Sequence, residues 1–208
     1  MKVLLLQPCC IINKITMRSQ FKIVFLFALL SGVALLSGCD KDPEPENIPE
    51  EITKVVLTFS STGAAPIVVE ANDPDLDGPQ DIEAGAIVLK ANTSYTLTIE
   101  MFNEFFEPTE AEYNITTEVE EEGAEHQLFF SWSEGLFTLP GGAVNYDDED
   151  ENGLPIGLIT KWWTSGTITS DKAFRVILKH QPDIKSTTST VDDGESDLDI
   201  TFPISIIE

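Results

Sequence analysis

Two kinds of apolar pattern divide the chain. Near the N-terminus an almost unbroken apolar run, Ile23 through Leu36, follows Met17, Arg18 and Lys22 and ends in Leu36-Ser37-Gly38-Cys39. From Ile52 onward apolar residues instead recur at every second position. Val55, Leu57 and Phe59 alternate with Lys54, Val56 and Thr58, and Tyr95, Leu97, Ile99 and Met101 alternate with Thr96, Thr98 and Glu100. Phe174, Val176 and Leu178 alternate with Arg175, Ile177 and Lys179. A period of two sends one set of side chains to one face, so each stretch predicts a half-buried strand. Leu198, Ile200, Phe202 and Ile204 predict the last strand, and Pro203 within it predicts an edge or a bulge, because proline has no N–H for the ladder.

Further strands are predicted over residues 66–70, 84–90, 127–133, 136–139, 143–146, 155–164 and 166–169. One short helix is predicted over 115–122, with Asn114 placed to cap it and Glu118 in its first turn. Many short strands separated by Gly, Pro, Asn and Asp, with no long amphipathic helix, predict two antiparallel sheets packed face to face. The expected fold is therefore all-β: an immunoglobulin-like antiparallel β-sandwich with one short helix.

The N-terminal run is too short to span a bilayer comfortably, since a spanning helix needs ~20 apolar residues. Basic flank, apolar run, small residues and cysteine in that order predict a cleaved lipoprotein signal peptide over residues 1–38, with residues 1–16 an upstream extension before a second start at Met17. Cys39 is then the lipidation site and membrane lipid the first partner, because several acyl chains hold a protein to a membrane stably where one does not. Cys9 and Cys10 leave with the leader and Cys39 is acylated, so no thiol remains for disulfides or cysteine catalysis. Residues 39–51 carry three prolines and mostly acids, which predicts an extended, solvated tether ahead of a single domain at 52–208.

Charge narrows the partners. The whole chain has 12 Lys and Arg against 36 Asp and Glu, and loss of Lys2, Lys14, Arg18 and Lys22 with the leader leaves eight cations against the same 36 acids. Nucleic-acid binding depends on cations that neutralise phosphates, so a nucleic-acid partner is excluded; cations are the natural small ones.

Asp73, Asp75 and Asp77 followed by Gly78 match the first half of a calcium loop, and Asp148, Asp150 and Asn152 followed by Gly153 repeat that spacing. The twelfth positions, Ala84 and Ile159, supply no ligand, which rejects an EF-hand and favours plain turns over calcium sites. His126 and His180 lie beside strand ends; with Glu122 or Glu125 they would offer the imidazole and carboxylate ligands that suit zinc or another transition metal, provided the two strands meet. Without that meeting each is an ordinary surface histidine. Trp162 and Trp163 are the ligand-binding candidates among the aromatics, and because neighbours in a strand face opposite sides, one of them belongs to the core. No G-x-S-x-G elbow, H-E-x-x-H, or phosphate-cradling or dinucleotide-binding glycine loop is present, so a noncatalytic role is expected.

Gly38-Cys39-Asp40-Lys41-Asp42, the stretch Glu118 to Gln127, Asn152 to Leu158, and Leu178-Lys179-His180-Gln181-Pro182 together resemble small envelope lipoproteins of Bacteroidota, especially flavobacteria. That group carries the label type 1 periplasmic binding fold protein and is associated with TonB-dependent uptake. The resemblance implies ligand capture at the outer membrane, on its periplasmic face or at the cell surface, beside an outer-membrane receptor. It does not imply the two-lobed α/β fold of that label. Two functions are expected to compete: a binding module for a metal ion, chelate or other nutrient, and a structural or adhesive lipoprotein with calcium-stabilised acidic loops.

Overall fold

In the computed structural model, which describes residues 50–73 and 82–208, the period-two stretches form strands. The strands are β1 (Lys54–Ser60), β2 (Ile67–Asn72), β3 (Glu83–Ala84), β4 (Ile87–Lys90), β5 (Ser94–Phe102), β6 (His126–Trp132), β7 (Asn145–Tyr146), β8 (Ile159–Trp163), β9 (Thr169–His180) and β10 (Glu195–Ile207). Helix α1 spans Ile115–Glu121 between β5 and β6. Asn114 caps it as expected, its side-chain oxygen accepting the Thr117 N–H at 3.3 Å. Ile115 and Val119, one turn apart, are the buried positions that seat the helix. Thr116 fastens it to β5, its hydroxyl accepting from Met101 N at 2.7 Å and donating to Met101 O at 3.1 Å.

The strands make two sheets, ordered β3-β2-β1-β5-β8-β7 and β4-β10-β9-β6. With β1, β5, β8 and β7 as A, B, E and D, and β10, β9 and β6 as G, F and C, this is the immunoglobulin arrangement. The core lies between the sheets. Val55, Leu57 and Phe59 of β1 and Tyr95, Leu97, Ile99 and Met101 of β5 meet Phe174, Val176 and Leu178 of β9 and Leu198, Ile200, Phe202 and Ile204 of β10, all of them buried. Phe59 reaches across to Phe174 with ring centroids 6.4 Å apart. Full burial of one such side chain stabilises by about 1.5–3 kcal/mol, which makes the alternation the main determinant of which face turns inward. The described residues all belong to one unit, Ile48–Glu208.

The antiparallel sandwich with one short helix is as expected, with one parallel pair added to it, β4 running beside β10 from Ile204↔Ile87 to Ile207↔Lys90. Several expectations need correction. The single strand expected over 84–90 is two, broken at Gly85, where an added Cβ would stand 2.8 Å from Glu70 O. Residues 136–139 form no strand; Phe137 makes one bridge to Thr164, and a 3₁₀ turn at Pro140–Gly142 follows. Residues 166–169 add no strand of their own, Thr169 being the start of β9. Pro203 occupies the position just before β4 joins β10, so the missing N–H falls where that side of β10 is still an edge, and a register shift follows between Ile204 and Ile206. Cys39 and the tether up to residue 49 lie outside the described residues, as do Asp75 and Asp77.

Candidate functional site

The two histidines meet. β6 pairs with β9 so that His126 and His180 stand directly opposite each other at the end of the ladder. Their rings stack with centroids 4.5 Å apart and planes 7° from parallel. The turn between α1 and β6 brings in a third group: Glu122 O accepts from Glu125 N at 2.8 Å and from His126 N at 3.2 Å, and lies 3.2 Å from His126 Nδ1. Gly123 packs this turn closely against its neighbours, an added Cβ standing 2.7 Å from Ile156 Cδ1 and 3.2 Å from Glu120 O. Among the described residues, Glu122, His126 and His180 each offer a ligand atom, all within 4.8 Å of one another.

Each imidazole has a carboxylate beside its Nε2. For His180 it is Glu125, at 3.2 Å. For His126 it is Asp197, at 3.8 Å, and both of those side chains are fully buried. Neither Asp197 oxygen nor His126 Nε2 has a hydrogen-bond partner within bonding distance. Asp197 points inward because of a bulge in β10: Ser196 pairs with Lys179 and Leu198 with Leu178, leaving Asp197 as the extra residue between them. The alternation that sends Leu198 and Ile200 inward would place Asp197 outside, and no signal in the sequence marks the bulge.

Exposure grades across the site, from wholly buried His126 through His180, whose side chain is 14% exposed, to Glu125 at 46% and exposed Glu122. Burial, and after it the neighbouring His180, push His126 down to about 4, so its imidazole is neutral at neutral pH. Burial pushes Asp197 up to about 6 against the pull of His180. Glu50, just ahead of β1, rises to about 7 through burial and then the charges of Glu118, Asp197 and Glu122. Acids thus crowd this end of the sandwich, with Lys179 and Lys185 as the nearby cations.

The acidic loop before β8 is held by its own bonds. Asp148 accepts from Gly157 N at 3.0 Å and Leu158 N at 2.7 Å, and Asp150 accepts from Asn152 N at 2.8 Å and Leu154 N at 2.9 Å. Lys185 Nζ donates to Asp150 at 2.8 Å and to Gly123 O at 2.6 Å, tying the loop to the end of α1. Burial would raise Asp150, but Lys185 and the amides outweigh it and hold the carboxyl below its usual range. Asn152 is exposed, and its amide serves the turn. Both aspartates line a cleft of about 610 Å³ between α1 and the loop, together with Glu100, Glu120, Glu121, Glu149 and Glu151. Asp73, at the far end of β2, is buried, with its backbone N–H donating to Thr53 O at 2.8 Å.

Trp162 is wholly inside the core and offers no face to a ligand. Its indole N–H donates to Thr160 Oγ1 at 2.7 Å and its ring packs edge-on against Trp132 and Phe174. Trp163 faces the other way and is half-buried. No family model, curated protein or solved structure matches this chain.

Proposed function

We propose that the chain is a lipid-anchored protein of the cell envelope whose β-sandwich is a noncatalytic binding module, taking up a metal ion, chelate or other nutrient beside an outer-membrane receptor. The observation that carries this reading is the convergence of His126, His180, Glu122, Glu125 and Asp197 at one end of the sandwich. A buried imidazole and a buried carboxylate with unused hydrogen-bonding capacity cost stability, and such groups persist where they serve a ligand. The lipobox at Leu36-Ser37-Gly38-Cys39 supports the anchor. The competing reading, a structural or adhesive lipoprotein, draws on the loop at 148–153, which is rigid through its own hydrogen bonds.

Native mass spectrometry of the protein extracted from its own membranes tests the binding role. A mass excess that disappears on unfolding is expected, whereas a bare polypeptide mass favours the structural reading. Labelling with radioactive palmitate tests the anchor: Cys39→Ser should abolish incorporation and move the protein to the soluble fraction, and label retained in that variant refutes the anchor.

A further inference from the structure

We infer that Glu122, His126 and His180 form a capture site for a first-row transition cation such as zinc, with Asp197 and Glu125 as the carboxylates that orient the two imidazoles. This rests on the binding-module reading and specifies its ligand. Both Nε2 atoms already face a carboxylate, at 3.8 Å for His126 and 3.2 Å for His180. A metal-bound histidine ordinarily donates its second ring N–H to such a group, which fixes the tautomer and raises the basicity of the ligating nitrogen. The nitrogens left over are the two Nδ1 atoms; that of His126 lies 3.2 Å from the backbone oxygen of Glu122, which can only accept, so in the metal-free protein Nδ1–H donates there and the proton must move to Nε2 for Nδ1 to take a metal. Asp197, fully buried and 3.8 Å from that Nε2, thereby acquires a purpose: accepting the Nε2–H of His126 once the ring carries a metal. Glu125, a candidate ligand on sequence grounds, becomes an orienting residue.

Two imidazoles and one carboxylate select zinc and its neighbours over calcium or magnesium, which prefer oxygen ligands throughout. Three protein ligands leave a coordination position for water, and Glu122 stands exposed at the mouth, which suits loading and release better than a closed structural site. Lone pairs of stacked rings run side by side, not toward a common point, so binding requires one imidazole to turn out of the stack. His180, the more exposed of the two, is the ring free to turn.

The test is titration of the mature protein, stripped with EDTA, with zinc by calorimetry and with cobalt by visible absorption. One equivalent should bind, with the cobalt spectrum of a four-coordinate nitrogen and oxygen site and a shift of both histidine ring signals in NMR. His180→Ala and Glu122→Gln, both at accessible positions, should abolish or strongly weaken binding, and Asp197→Asn should weaken it about 10- to 100-fold while leaving the fold intact. Absence of stoichiometric binding, or binding unchanged in His180→Ala and Glu122→Gln, overturns the inference. If Asp197→Asn binds as tightly as the native chain, its orienting role is refuted. A protein that retains other cargo from its own membranes yet binds no zinc keeps the binding-module reading and loses this one; a protein that does neither loses both.

Discussion

Replacing Lys185 by Met should destabilise the domain by about 3 kcal/mol, and the structure sets that figure. The Lys185 and Asp150 side chains are each only 1% exposed and 2.8 Å apart, and Lys185 also donates to Gly123 O. Removing one partner of a buried pair strands the other charge, which costs ~3–5 kcal/mol. The low end applies because Asp150 keeps the amides of Asn152 and Leu154 and lines a cleft. For a domain of this size, ~3 kcal/mol lowers the melting temperature by roughly 6–12 °C. Urea unfolding at pH 7 of the native protein, Lys185→Met, Asp150→Asn and the double variant would measure the pair, and a coupling of ~1–3 kcal/mol is expected. The charge on Asp150 stabilises the fold above its unfolded pKa of ~3.9, and this contribution is lost only as pH falls through its lower folded value. The gap between native and Lys185→Met should therefore persist at pH 5. Unfolding energies within ~0.5 kcal/mol of each other, or two single losses that simply add, would refute the buried-pair account.

Asp197→Asn in metal-free protein should stabilise at pH 7.5 by ~1–3 kcal/mol, since burial raises the native carboxyl to about 6 and it must lose its proton there at a cost that its neighbours do not offset. A raised acid contributes stability fully below its unfolded pKa and loses it as pH rises through 6, so the gain should shrink toward pH 4; a variant less stable at pH 7.5 sinks the assignment. His126, lowered to about 4, acts in the opposite sense as pH falls from ~6.5, so the native curve alone will look flatter than either residue's own contribution. Gly157→Ala should cost ~2–3 kcal/mol in chemical unfolding, because φ is +99° and the new Cβ would lie 2.8 Å from Leu128 Cβ. Gly63→Ala, at φ +78° with open space around it, should cost only ~1 kcal/mol. Equal losses at the two glycines would contradict the packing argument.

Much of this architecture is local chemistry and is legible in the sequence. Alternation in β1, β5, β9 and β10 names the inward residues before any partner strand is known, because a pleated strand has only two faces. The Asn114 cap and the short helix follow from one side-chain oxygen and the first unpaired amides. The histidines could be named as ligand candidates from their type, but not joined, since their meeting depends on β6 and β9 being neighbours in one particular register. Trp162 and Trp163 could be assigned to opposite faces, but not to core and surface, because that depends on which side the second sheet covers. Asp197 was beyond the pattern altogether, since a single extra residue in β10 reverses its face. The class of fold, the inward residues of the regularly alternating strands and the acidic character follow from local pattern and composition. Only tertiary structure decided the parallel seat of β4, the stacked imidazoles and the buried carboxylate behind them, because pairing partner, register and bulge are settled by contacts between segments far apart in the chain.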